Sequence, residues 1–188
     1  FNGFESLVAS MFSNFDPVLK ITPRHGKVFD PSVASLQKVK KLPEITYFSE
    51  VLEDNALVRY KDRQDVATIK GVDNTFRYLT NIDSILIDGD FILYDEVANY
   101  AIPGVGLASR LGIRANFADP LEIYVPKRDE KVNLSNPATS FNLEYAFTRG
   151  VYATNQQVYD DKVMLIPLAL ARSLFHYNNE VTAIELGV

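Results

Sequence analysis

Ile102-Pro-Gly-Val-Gly-Leu-Ala-Ser-Arg-Leu-Gly-Ile113 is the stretch on which the reading of this chain turns. Pro103 suits the first turn of a helix, where its missing N–H is not needed, and the small residues after it allow close packing. A short apolar strand, Leu121-Glu-Ile-Tyr-Val125, follows. Beyond a polar gap come Phe147-Thr-Arg-Gly-Val-Tyr152 and then Tyr159-Asp-Asp-Lys-Val-Met-Leu-Ile-Pro-Leu-Ala-Leu-Ala-Arg-Ser-Leu-Phe175, in which Pro167 again sits at a helix start. Val181-Thr-Ala-Ile-Glu-Leu186 closes the series, so strand and helix alternate to the end of the chain.

Upstream, Phe1–Phe15 carries apolar residues at 1, 4, 8, 11, 12 and 15, a helical stripe that should end before Asp16-Pro17. Val18–Thr22 predicts a strand and Pro23-Arg-His-Gly26 a turn. Asp30-Pro31 predicts a helix start, with Val33, Leu36 and Val39 on the buried face and Pro43 as terminator. From Ile45 to Val72, β-branched and aromatic residues interrupted at Glu53-Asp-Asn55 and Asp62-Arg-Gln64 predict a three-stranded meander. A helical turn near Thr75–Thr80 follows, then a tight turn at Asp88-Gly89 between apolar runs. The class is α+β, with two mixed lobes. No internal repeat is clear in the residues.

The sequence has 188 residues, 47% hydrophobic and 23% charged, enough for one ordinary core or two small lobes. A net charge of -5 argues against a nucleic-acid surface, which needs clustered Lys and Arg. Cysteine is absent, which removes disulfides, thiolate metal sites and cysteine nucleophiles together. No run reaches the roughly eighteen apolar residues that a membrane helix requires. The chain opens on Phe1 and stops at Gly187-Val188 directly after an apolar strand, so both ends read as cut from something longer.

Catalytic and cofactor patterns are weak throughout. His25 and His176 have no carboxylate or second ligand in any recognisable spacing, and His176, near a helix end, suits a helix-dipole role. Asp83, Asp88, Asp90, Asp95 and Glu96 miss the calcium-loop spacing. Asp160-Asp161 reads as a turn. Gly104-Val-Gly106 is half of a dinucleotide fingerprint whose third glycine is replaced by Ser109, and close packing accounts for it. No phosphate loop is present, so neither ATP nor another cofactor is expected to bind.

The order and spacing of these segments resemble the periplasmic core domain of FtsX-like ABC-transporter permeases, the MacB, LolC and LolE type. The resemblance implies a membrane-proximal lobe of two strand-helix-strand halves, residues 1–100 and 150–188, with a smaller β-rich lobe, residues 101–149, inserted between them. It implies a noncatalytic, extracytoplasmic segment of an inner-membrane protein whose flanking spans lie outside this sequence. A cytoplasmic ATPase subunit and a partner permease would complete the machine. Glu122-Ile-Tyr-Val-Pro126, a projecting loop and Phe147–Tyr152 look closest to the lipoprotein-releasing group, in which a hairpin here engages a periplasmic lipoprotein chaperone. MacB-type efflux through an adaptor and FtsX-like regulation of a cell-wall hydrolase are the alternatives.

The loop itself, Pro126–Asn142, stands out by composition. Two prolines disrupt pairing, and its charges would be costly to bury. Lys127, Arg128, Asp129, Glu130, Lys131, Val132, Asn133 and Leu134 are the expected partner-binding residues. A solvated connector is the competing reading.

Overall fold

The computed structural model describes residues 15, 17, 19–128, 131 and 133–188. The helix expected over Phe1–Phe15 therefore lies outside the described residues apart from Phe15. In chain order the elements are β1 (Leu19–Ile21), α1 (Ala34–Lys40), β2 (Tyr47–Tyr60), β3 (Arg63–Val72), α2 (Phe76–Thr80), β4 (Leu86–Gly89), β5 (Tyr100–Pro103), α3 (Val105–Leu111), β6 (Leu121–Pro126), β7 (Phe141–Thr148), β8 (Gly150–Tyr152), α4 (Gln157–Asp160), β9 (Val163–Pro167), α5 (Leu168–Phe175) and β10 (Ala183–Gly187). The class is α+β.

The 8-stranded sheet runs β1-β10-β2-β3-β9-β5-β7-β6, and β6 also pairs with β2. That last pairing, Leu57↔Tyr124 to Arg59↔Glu122, closes β2, β3, β9, β5, β7 and β6 into a barrel. Closure removes sheet edges, which would otherwise expose unpaired backbone groups. β10 and β1 extend from the other half of β2 as a small outer sheet.

The barrel carries an internal two-fold relation that the residues do not advertise. β2-β3-β4-β5-α3 and β6-β7-β8-β9-α5 repeat the same series: a hairpin, a short strand, then a strand leading through proline into a helix. Equivalent strands meet antiparallel, as β2 with β6, β4 with β8 and β5 with β9. The last strand of each repeat is exchanged: β9 runs parallel to β3 and β5 parallel to β7. Ile102-Pro103 and Ile166-Pro167 mark the same point in each repeat, and each helix ends on a left-handed residue, Gly112 (φ 67°) and His176 (φ 56°).

Alternation along the strands divides the interior. Val58, Ile69, Leu121, Ile123, Ala146, Met164 and Ile166 point into the barrel, whose ends are plugged by Leu107 and Leu111 of α3 and by Ala171, Leu174 and Phe175 of α5. Gly71 of β3 has no side chain because a Cβ there would overlap the Cβ of Ala171. Outside the barrel, Val72, Phe76, Phe91, Tyr152 and Leu165 form a second cluster. Ile184 and Leu186 of β10 form a third, with Leu36 and Val39 of α1 packed on it.

Lys70 and Glu185 bridge the barrel to the outer sheet. Their Nζ–Oε1 distance is 2.6 Å and their side chains are only 7% and 1% exposed. Lys70 also lies over the rings of Phe15 and Phe76, 5.3 and 5.1 Å from their centroids. A charge so placed is tolerated only with a partner of opposite sign at close range.

Several expectations are corrected. The segment 45–72 is one long hairpin rather than a meander. Glu53-Asp-Asn55 mark where β2 passes from β10 to β6, with Glu53 N–H donating to Thr182 Oγ1 at 2.9 Å and Asp54 paired with Lys27. Asp88-Gly89 does not turn a hairpin; it ends β4 against β8, and Gly89 (φ 65°) leaves room for the Arg149 carbonyl. α1 starts at Ala34, because Asp30 Oδ1 accepts from Ser32 N–H at 2.8 Å and holds a separate turn, leaving Val33 exposed. Within residues 101–149, expected as an inserted lobe, β6 pairs with β2 and β7, and β5 at its start pairs with β9 and β7.

Tyr152 is fully buried and its hydroxyl donates to the Val163 carbonyl at 2.7 Å. Burial, with the charges of Asp160 and Glu53 adding to it, pushes its phenol well above the ordinary 10.0. The folded form therefore holds this proton more tightly than the unfolded chain. The resulting stability is complete below about pH 10 and is lost as pH rises toward the folded value. The Val163 carbonyl keeps a second donor, Gly104 N–H at 3.1 Å. Denaturant titrations should therefore show Tyr152→Phe less stable than the parent at pH 8 by about 0.5–1.5 kcal/mol for the lost hydrogen bond, with a shallower decline above pH 10.

Candidate partner-binding surface

The loop over 127–140 joins β6 to β7 and is closed by the pairing Pro126↔Phe141. Lys127 N–H donates to the Ser140 carbonyl at 2.9 Å and Asn133 N–H to Ser140 Oγ at 2.8 Å, so Ser140, 3% exposed, ties both arms of the loop. Ser135 N–H donates to Asn133 Oδ1, and Pro137–Ser140 form a 3-10 turn that leads into β7.

Arg128 folds back instead of projecting. Its guanidinium lies 3.9 Å from the Tyr177 ring centroid and donates to the His176 carbonyl at 2.5 Å. Stacking and charge both suit this place, since His176 ends α5 where carbonyl dipoles collect. The dipole role expected for His176 thus falls to Arg128, while His176 supplies the left-handed cap. Lys131 and Asn133 are exposed, and Leu134 presents 89% of its surface to solvent. Asp129, Glu130 and Val132 lie outside the described residues.

A groove of about 320 Å³ runs beside the base of the loop, walled by Asn55, Val125, Pro126, Arg128, Phe175 and Tyr177. Its two-fold equivalent lies at the tip of the β2-β3 hairpin, about 430 Å³, walled by Tyr60, Lys61, Arg63, Gly112 and Phe117. Each groove is thus formed by a hairpin tip and the left-handed end of a helix. The equivalence extends to the anchors: Arg63 donates to the Arg110 carbonyl on α3, and Asn142 donates to the Leu174 carbonyl on α5. The two hairpins differ in one respect. β2 and β3 are joined by Lys61 and Asp62 alone, whereas β6 and β7 are joined by residues 127–140.

The groove at the β2-β3 tip is not legible in the sequence, because Tyr60 and Phe117, whose rings are 6.3 Å apart, are remote in the chain. The other candidates resolve into local structure. Asp160 accepts from Thr154 N–H, Thr154 Oγ1 and Asn155 N–H, holding a turn. Gly104 and Gly106 pass so close to Asp160 and Asp161 that a Cβ on either would overlap them. Asp83 pairs with Arg77, Asp88 accepts from Ala115 N–H, and Asp95 accepts from Val97 and Ala98 N–H, so these acids do not converge.

No family model matches the chain, and no curated protein matches it significantly. The fold is shared with solved structures. It is similar to the extracellular domain of the noncanonic ABC-type transporter YknZ from Gram-positive bacteria, with TM-score 0.57 and 10% identity over 87% of this chain and 75% of that one. It is similar to the periplasmic region of MacB from Actinobacillus actinomycetemcomitans, with TM-score 0.55 and 7% identity over 95% and 79%. A domain of a protein described as a permease, from Porphyromonas gingivalis, gives TM-score 0.51 and 15% identity over 87% and 65%. At these identities the likeness is one of fold.

Replacing Arg128 with alanine should lower stability by about 0.5–1 kcal/mol through loss of the stacked, dipole-facing contact, read as a fall in melting temperature. Arg128→Lys should recover only part of it, because an ammonium does not stack as a planar guanidinium does.

Proposed function

We propose that the chain is the extracytoplasmic domain of an ABC-transporter permease subunit of the FtsX-like kind, carrying ATP-driven movement of membrane helices to a cargo or partner outside. The observation that carries this reading is the shared fold with extracytoplasmic domains of ABC-type transporters. The placement of the first and last described strands supports it. β1 and β10 are antiparallel neighbours, with Leu19 opposite Leu186, so these two strands lie side by side. Two membrane helices attached there would act on one place, and a stiff domain would transmit their displacement. The work is noncovalent. A cytoplasmic ATPase subunit and a partner permease would supply the power stroke.

Within this class we favour lipoprotein release, with residues 127–134 as the contact for a periplasmic chaperone. The two-residue turn at Lys61-Asp62 supports that choice: the equivalent hairpin closes without a long loop, so the length of 127–140 is not demanded by the barrel. An exposed loop set on rigid strands suits recognition of a partner. Efflux of the MacB kind, or activation of a cell-wall hydrolase, would use the same surface with a different partner.

The test replaces residues 128–139 with a short Gly/Ser linker in the full permease. The isolated domain should keep its melting temperature within a few degrees, the permease should still copurify with its ATPase, and capture of the periplasmic partner should be lost together with transport. Unchanged capture and transport would make the loop a connector. Failure to copurify with any ATPase would overturn the permease reading itself.

A further inference from the structure

The end of the outer sheet that holds Leu19 and the last residues of β10 has an unusual surface. Tyr47 pairs with Gly187 on β10, and Thr46 N–H donates to the Gly187 carbonyl at 2.8 Å. Tyr47 stacks on Tyr78 of α2, with centroids 5.3 Å apart and planes 11° from parallel, and Tyr78 is 62% exposed. On the opposite face of the sheet, α1 ends in Lys38 and Lys40, followed by Lys41 and by Leu42, 48% exposed. Lys40 Nζ lies 5.4 Å above the ring of Phe48, which pairs with Leu186. Leu19, 48% exposed, completes this end on β1, next to Lys20.

Three lysines within four residues are out of keeping with a chain of net charge -5. Glu44 is the acid closest to them in sequence. Arg77 and Asp83, beside Tyr78, neutralise each other at 3.0 Å. Tyrosines with an apolar body and a polar tip, flanked by lysines whose stems lie on apolar surface, are the residues that water–lipid boundaries favour. Lysines near an anionic leaflet are attracted to it over a Debye length.

We propose that this end, Tyr47, Tyr78, Leu42 and the Lys38-Lys40-Lys41 cluster, rests on the phospholipid headgroups of the membrane from which the chain emerges, anionic headgroups above all. The inference rests on the permease reading and deepens it. The contact would set the tilt of the domain, so that movement of the flanking helices turns it against a fixed plane.

The sequence has no tryptophan, so Tyr78→Trp creates a single reporter, and Tyr47→Trp a second should the first disturb folding. The domain is tethered by a C-terminal histidine tag to vesicles of phosphatidylethanolamine and phosphatidylglycerol containing a nickel-chelating lipid. Tryptophan emission should shift to the blue and be quenched by lipids brominated near the headgroup. The quenching should fall severalfold in a Lys38→Gln, Lys40→Gln, Lys41→Gln variant and when phosphatidylcholine replaces phosphatidylglycerol. Emission unchanged by tethering, or quenching indifferent to both changes, would overturn the proposal. A blue shift that instead grows with protein concentration without vesicles would overturn it in favour of a second copy of the chain. Either failure would leave copurification with an ATPase intact, which separates it from failure of the permease reading.

Discussion

The backbone pairing of β2 is the interaction on which the rest of the structure depends. Its first half, Tyr47–Val51, pairs with β10, and Leu57–Arg59 pair with β6 to close the barrel. On its other side β2 is paired with β3 from Leu52 to Tyr60. One strand therefore belongs both to the sheet at the chain ends and to the barrel that bears the loop. The Lys70–Glu185 pair reinforces the joint from the side, since separating β10 from β3 would leave two buried charges unpaired. A domain meant to carry displacement from one end to the other needs such a member.

The exchanged strands give the barrel its second constraint. β5 completes the sheet beside β7, and β9 completes it beside β3, so neither repeat can bury its hydrophobic face without the other. Each helix is tied to the hairpin next to it, α3 through Arg110 and Asp65, 2.5 Å apart, and α5 through Ser173 and Glu144, also 2.5 Å apart. The two repeats share stiffness but differ at their hairpin tips. One tip is a minimal turn beside a groove, and the other carries a long polar loop beside the equivalent groove. Asymmetry grafted on a symmetric frame leaves the frame intact when the loop changes.

Much of the element order was legible because local physics dictates it. Pro43 follows the end of α1, Pro103 and Pro167 precede helices, and alternation in Leu121–Val125 and the unbroken apolar run Val163–Ile166 mark strands. The internal repeat was not legible. The two copies share Ile-Pro and little else at equivalent places, and their hairpins are joined by segments of very different length. The helix caps also differ in kind, since Gly112 takes a left-handed conformation easily while His176 takes it at a cost. Glu53-Asp-Asn55 read as a turn because polar residues interrupt an apolar strand. They lie where β2 changes partners and meets Lys27 and Thr182, contacts that only tertiary structure provides. The loop over 127–140 is legible by composition, whereas the contacts of Arg128 with Tyr177 and the end of α5, far along the chain, are not. Lys70 and Glu185, separated by 115 positions, leave no mark on each other in the sequence.

Native-state hydrogen exchange tests the coupling through β2 most directly. Amides of Glu185 and Ile184 in β10 and of Val58, Ile69 and Met164 in the barrel should exchange through one opening, with the same free energy and the same denaturant dependence. Exchange of the β10 amides through a smaller opening with a shallower denaturant slope, while the barrel amides stay protected, would mean that the outer sheet detaches by itself and would contradict the account.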